Sequence, residues 1–370
     1  MRRSLIPAML LILSMTGCSF GPQALKGNRL DYNISIQTSN NEELVLNIVR
    51  ARYVEPLFFL QVGSVSSSFG FSSTAGLTGS IYEKVQTPTP AVLTPSISGS
   101  FSENPTITYS PLQGEKMVRQ LQSEMPLDRF LTLVRTGFGI EGLMWLAVVK
   151  MGDLGNYGVH GRDDTGSYEK FLELARKLGS IQQRGDLEFS GIKDAGTDRI
   201  VIQIRYRDAA EADDIERRLG VKPDRMVMSD GRPVSVIEMS SVRDFAACQT
   251  DGRKCSQLFI KLKSYYQMIY DMALHVDIPD DLASGTLRYR PPTGDLGSRE
   301  GIHTGLIRIK SAAGRPGSAF VAVPYRGLWF YIDDSDIETK RGFMLLSSVF
   351  SLQSGDLPPM APVLTLPVGR

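Results

Sequence analysis

Over most of the chain, apolar residues recur at helical spacing or in short runs. Between Ser64 and Ser110 they alternate with small polar residues instead. The even positions of the first run include Ser64, Ser66, Ser68, Gly70, Ser72, Thr74, Gly76, Thr78 and Ser80. Its odd positions include Val65, Phe69, Phe71, Ala75, Leu77 and Ile81. A second run repeats the pattern, with Ser96, Ser98, Ser100, Ser102, Asn104, Thr106 and Thr108 against Ile97, Phe101, Ile107 and Tyr109. Between them, Glu83–Pro95 carries Pro88, Pro90 and Pro95 and reads as a loop. Side chains alternate faces along a strand. The two runs therefore predict one long antiparallel hairpin over 64–110, with one small-polar and one apolar face. Each strand is about three times the usual 5–6 residues.

The flanking segments read differently. Residues 18–38 form a tether with a short strand at Tyr32–Ile36. Asn40 or Asn41 then caps a helix that Pro56 ends. Helical segments follow at Gln113–Ser123, Leu127–Thr136 and Glu141–Met151, the last apolar on nearly all sides. Residues 152–167, rich in Gly and Asp, read as a linker. Over 168–240 the order is a helix to Gln183, strands at Leu187–Ile192 and Ile200–Tyr206, a helix at Ala209–Leu219, then strands at Arg225–Met228 and Val234–Met239. This is a small α+β domain. Its order is similar to the ring-building modules of envelope channels. Residues 241–357 hold a long helix at Ser256–Val276, a loop, strands at Leu306–Lys310, Phe320–Pro324 and Leu328–Ile332, and a helix at Ser335–Gln353. Tyr325-Arg326-Gly327 forms a hairpin turn. A proline-rich extended tail, 358–370, closes the chain. The expected class is α+β: helical segments with a long amphipathic hairpin inserted into 39–152, a small α+β domain, and a C-terminal hairpin plus helix.

The N-terminus carries an address. Arg2 and Arg3 precede an apolar run, Leu5–Leu13, that is shorter than the about 20 residues a membrane helix needs. Ser14-Met15-Thr16-Gly17-Cys18 follows. These residues resemble the lipobox of bacterial lipoprotein precursors, although Met15 stands where Leu is usual. The resemblance implies cleavage of residues 1–17 as a signal peptide and a diacylglyceride with palmitate-type acyl chains on Cys18. Acyl chains bury about 0.8 kcal/mol per CH₂, enough for stable anchoring. Ser19, where an aspartate would favour the inner membrane, implies the outer membrane, facing the periplasm. Pro105–Glu115 and Phe320–Asp334 also resemble a family of bacterial lipoproteins to which no activity is attached.

Charge excludes little except nucleic acid. The chain has 41 basic and 40 acidic side chains with no block of either sign, so no nucleic-acid partner is expected. Of the cysteines, Cys248 and Cys255 flank an Asp-Gly turn, and in an oxidising compartment they form a candidate disulfide. Two free thiols are the alternative.

Candidate chemistry is sparse. Gly137-Phe138-Gly139-Ile140-Glu141-Gly142 has dinucleotide-loop spacing but follows a helix, not a strand, so it reads as a turn between helices. Asp333-Asp334-Ser335-Asp336 with Glu338 has calcium-like spacing but precedes a helix, so it reads as a cap. His160, His275 and His303 have no metal-pair spacing. No catalytic, cofactor or metal residue is assigned, and no enzyme is expected.

Two function classes remain. One is a non-catalytic envelope lipoprotein, bound to the membrane through Cys18, that scaffolds or binds a protein partner. The other is an oligomeric outer-membrane channel in which each chain donates the 64–110 hairpin to a shared β-barrel. In the channel, Ser66, Ser68, Ser72, Thr74, Thr78, Ser98, Ser100 and Ser102 would line the lumen. Val65, Phe69, Phe71, Leu77, Ile97 and Phe101 would meet lipid. Lipid-anchored export channels of the curli-secretion kind have that architecture, and the comparison goes no further than architecture. A solvent-exposed arm is the competing reading of the same hairpin.

Overall fold

A computed structural model describes residues 20–80, 92–112, 115–156, 165–194, 197–241, 257–279, 307–354 and 364–367. The chain divides into two compact units. The larger comprises residues 1–57 and 114–357, and the smaller 58–113 with 358–370.

The larger unit opens with helix α1, Phe20–Arg52. It runs straight through Tyr32–Ile36 and Asn40-Asn41, so the expected strand and the break before the helix are both absent. Neither glycine nor proline interrupts residues 28–52, and an asparagine in a helix interior costs only a few tenths of a kcal/mol relative to better formers. The two halves of α1 differ. Leu30 and Ile34 are exposed, whereas Leu44, Val45, Ile48 and Val49 are buried. The helix ends before Pro56, as expected.

Helices α2 (Glu115–Gln122), α3 (Leu127–Arg135) and α4 (Ile140–Ala147) follow. The backbone turns at Gly137, whose φ of 95° is left-handed, so the glycine-rich motif is indeed a helix-to-helix turn. The chain becomes strand at Val148, four residues before the expected end of the helix. Strands β3 (Val148–Met151) and β4 (Leu154–Gly155) pair through a tight turn at Gly152. The β-branched Val148-Val149 pair favours that switch.

The α+β module then follows the expected order closely. Helix α5 spans Thr165–Gln183, β5 Leu187–Asp194, β6 Thr197–Arg205, α6 Ala209–Leu219, β7 Arg225–Val227 and β8 Pro233–Ser241. Asp208 caps α6 by accepting from the Glu211 N–H at 2.8 Å, and Gly220 ends it at a φ of 71°. Strand β9, Leu258–Leu262, lies parallel to β8 and antiparallel to β3. The sheet of the module is therefore continuous with the strands that flank it, in the order β4-β3-β9-β8-β6-β5, with β7 on β8.

The expected long helix over Ser256–Val276 is instead β9 followed by helix α7, Tyr265–Ala273. Leu258, Ile260 and Leu262 alternate with Phe259 and Lys261, and every second side chain is buried. A capping box starts α7. The Ser264 hydroxyl accepts from the Gln267 N–H at 3.2 Å, and the Gln267 side chain accepts from the Ser264 N–H at 2.8 Å.

A second sheet has the order β10-β12-β11, from Lys310–Ala312, Ala319–Tyr325 and Leu328–Asp333. Arg326 and Gly327 both take positive φ, at 48° and 82°, as a two-residue hairpin loop requires. Glu55, beyond the end of α1, accepts from the Tyr325 hydroxyl and from Arg326. The Tyr325 hydrogen bond is the main reason its carboxyl titrates below the usual range. Helix α8, Ile337–Ser354, completes the unit. Its Phe343, Leu346 and Val349 are buried.

The smaller unit is a three-stranded sheet, β1 (Leu60–Ser80), β2 (Val92–Pro111) and β13 (Leu364–Pro367), in the order β1-β2-β13. Four residues of the expected extended tail thus form a strand.

Among the described glycines, Gly152, in the turn between β3 and β4, has the least room for a side chain. A Cβ there would lie 2.3 Å from the Leu219 carbonyl oxygen, and the residue's φ is 56°. Gly152→Ala should lower the unfolding free energy by about 2 kcal/mol or more, read by urea denaturation. A loss below about 0.5 kcal/mol, the usual range of surface changes, would contradict this packing.

Candidate functional site

The hairpin is the feature of this chain that ordinary folding least requires. At about 3.4 Å per residue, a strand pair of 21 and 20 residues extends roughly 65 Å. Its register is continuous except for one extra residue, Gly63, between Val62 and Ser64. The small-polar positions face one another across the ladder: Ser66↔Thr106, Ser68↔Asn104, Gly70↔Ser102, Ser72↔Ser100, Thr74↔Ser98 and Thr78↔Thr94. All eight hydroxyl residues singled out in the sequence therefore share one face. Ser72, Thr74, Ser98, Ser100 and Ser102 are exposed. The Ser72 and Ser100 hydroxyls lie 2.6 Å apart, and the Ser96 hydroxyl donates to the Gly76 carbonyl at 3.2 Å. The register puts Val65↔Ile107, Phe69↔Glu103, Phe71↔Phe101, Ala75↔Ile97 and Leu77↔Pro95 on the opposite face. The six apolar candidates are thus grouped as well.

Among the described residues, β2 is the strand that pairs with β1, which leaves β1 at the edge of this sheet. Among the described residues, strand β2 is paired on its far side where β13 lies, over Thr106–Tyr109. A surface of this kind offers hydroxyls, apolar groups and a strand edge. Strand edges are templates for pairing with another strand.

The remaining sequence candidates have structural partners or lie elsewhere. Cys18, Cys248, Cys255, His160 and His303 fall outside the described residues. His275 sits against Trp145, with ring centroids 5.9 Å apart. In the acidic segment, Asp336 caps α8 by accepting from the Thr339 N–H at 3.0 Å and its hydroxyl at 2.7 Å. Asp334 pairs with Lys340 at 2.7 Å. Asp333 accepts from the Ser335 hydroxyl at 2.7 Å, the Ser335 N–H at 3.1 Å and Lys310 at 3.1 Å. Among the described residues no group of His, Cys, Asp and Glu could hold a metal, and no helix is long and apolar enough to cross a membrane.

One buried charge escaped the sequence reading. Lys263, between β9 and α7, is 2% exposed. Its Nζ lies 2.7 Å from Asp271 Oδ2 and donates to the Trp145 carbonyl at 3.1 Å. Asn156 donates to the Trp145 and Val148 carbonyls at 2.7 and 2.8 Å. Together they close the C-terminal end of α4, where a cation is favoured by the helix dipole. The only sequence signal was a lysine in the last place of an alternating run, directly before a capping serine.

Two outcomes test these assignments. Asp271→Asn should leave Lys263 buried without a counter-charge and cost about 3 kcal/mol, read by chemical denaturation. An effect within a few tenths would show the pair to be solvated. The hydrogen bonds from Ser335, then Lys310, hold the Asp333 carboxyl at about 2 in the folded chain. This lies below the unfolded value of about 3.9. Its stabilisation is therefore complete above the unfolded value and is lost as pH falls through about 2. In a carboxyl NMR titration, Ser335→Ala should raise the midpoint, and an unchanged midpoint would contradict the assignment.

No family model matches the chain, and no curated protein or solved structure does.

Proposed function

We propose that this chain is a lipid-anchored envelope protein, tethered by Cys18 to the outer membrane and facing the periplasm, whose work is assembly through its hairpin and not catalysis. One observation carries the reading: a two-stranded arm of roughly 65 Å with the eight singled-out hydroxyl residues on one face and a strand of 21 residues whose outer side no described strand pairs. Such an edge is a template for pairing with another chain. Helix α1 supports the anchor. It begins two residues after Cys18, and Leu30 and Ile34 in its first half are exposed, as suits a stalk between lipid and body.

A second reading gives the arm a membrane location, as one chain's share of a β-barrel. The separation of faces favours it. Transmembrane strands need about 9–11 tilted residues, which both strands exceed. Lone hairpins cannot cross lipid because their edges stay unsatisfied, so this reading requires several copies.

Two experiments test the pair. Cys18→Ala should release the protein from the membrane fraction into the soluble one, and retention would remove the lipid anchor from the account. Phe69→Asp and Phe71→Asp should block membrane assembly, while Ser68→Asp and Ser72→Asp should matter much less. Equal effects on both faces would count against a barrel.

A further inference from the structure

We infer that the outer edge of β2 holds a strand-pairing window, Ser96–Asn104, whose occupant is strand β1 of a second copy of this chain. The inference rests on the reading of the hairpin as an assembly element and names the partner of that element.

The phase of the ladder comes first. The Leu112 N–H donates to the Phe59 carbonyl at 2.9 Å. In an antiparallel pair, alternate residues turn their N–H and C=O toward the partner and the others turn them away. Even-numbered residues of β2 therefore face β1, and odd-numbered residues face outward. The one irregularity adds Gly63 to β1 and none to β2, so this phase holds along the whole of β2.

The prolines then acquire a meaning. Strand β2 contains three, Pro95, Pro105 and Pro111, and β1 contains none. All three are odd. Each removes a donor from the outer edge and none removes one from the β1 ladder. They divide that edge into two windows.

The chain itself fills the first. Between Pro105 and Pro111, strand β13 pairs Leu366 with Ile107 and Leu364 with Tyr109, the two outward residues. Pro367 falls opposite Thr106, an inward residue, where its missing N–H breaks nothing. A proline-bounded window on this edge is thus seen to accept a strand.

The second window presents Ile97, Gly99, Phe101 and Glu103 outward, and among the described residues no strand pairs there. It spans nine residues between its prolines, close to the length of a membrane-crossing strand, about 9–11.

Strand β1 of another copy fits it on three counts. Among the described residues no strand pairs with its outer side over Ser64–Ser80, and no proline breaks it. Its alternation matches, so antiparallel pairing of even with even positions keeps the Ser66–Thr78 and Ser98–Ser102 hydroxyl rows on one face. Among the described residues each chain offers one window and one such edge, so head-to-tail pairing fills every window when the rotation between copies closes a ring. A foreign strand in the window would leave β1 open.

The test uses the full lipid-anchored chain extracted in mild detergent. Gly99→Pro removes the central outward donor, and a Cβ at Gly99 meets no atom within 4 Å. Native mass should give one closed oligomer for the wild type and for Gly99→Ala, and a monomer for Gly99→Pro with its circular dichroism kept. Cross-linking provides an independent measurement in a Cys248→Ser, Cys255→Ser background. Gly99→Cys combined with Ser67→Cys, whose partner in its own chain is Pro105, should give covalent multimers under oxidation. A wild-type monomer overturns the assembly reading and this inference together. An oligomer that persists in Gly99→Pro and gives no cross-link overturns the window alone, and a particle containing a different protein on this edge overturns the second copy as occupant.

Discussion

Each strand of an isolated hairpin turns every second N–H and C=O away from its partner. Over five residues water satisfies them cheaply. Over twenty, the outer edges become two long rows of donors and acceptors whose satisfaction governs what the molecule can do. In hydrocarbon those rows must be paired, at several kcal/mol per group left unpaired. The sequence of this chain manages the rows unequally. Strand β2 is interrupted by proline only on its outer edge and is covered in part by β13, whereas β1 carries no interruption. Blunting one edge in segments while leaving the other continuous is consistent with controlled pairing. General protection against pairing would treat both edges alike.

The larger unit is built to be firm. Its sheet joins β5, β6 and β8 to β9, β3 and β4 without a break. Its buried charges act as ties. Glu216 accepts from Arg225 and from the Ser235 hydroxyl, joining α6 to β7 and β8. Asp186 has Arg184 and Arg232 at 3.2 Å. Lys263 closes α4 and pairs with α7. These carboxylates and cations are matched with one another, which suits a structural scaffold.

Legibility followed periodicity. The hairpin could be read because period two persists far beyond a usual strand, and the α+β module because its elements are long and bounded by turn residues. Short strands were lost. Leu258–Leu262 and Val148–Met151 each adjoin a helix, and four or five apolar residues beside a helical pattern look like its continuation. The Ser264–Gln267 capping box would have separated β9 from α7. Helix α1 was divided at Asn40 because asparagine is a good cap, yet its own propensity is too weak to stop a helix that tertiary packing holds at Leu44–Val49. The tail hid β13 because Pro367 drew attention from the alternation of Leu364-Thr365-Leu366. The odd numbering of Pro95, Pro105 and Pro111 was visible in the sequence but had no meaning until the Leu112–Phe59 bond fixed the phase of the ladder.

The central claim is that this arm exists to be paired with copies of itself. Electron microscopy of the full-length protein purified in mild detergent addresses it most directly. The account predicts closed rings of uniform copy number with a central β-wall. Single particles of one chain, with the arm extended and unpaired, would contradict it.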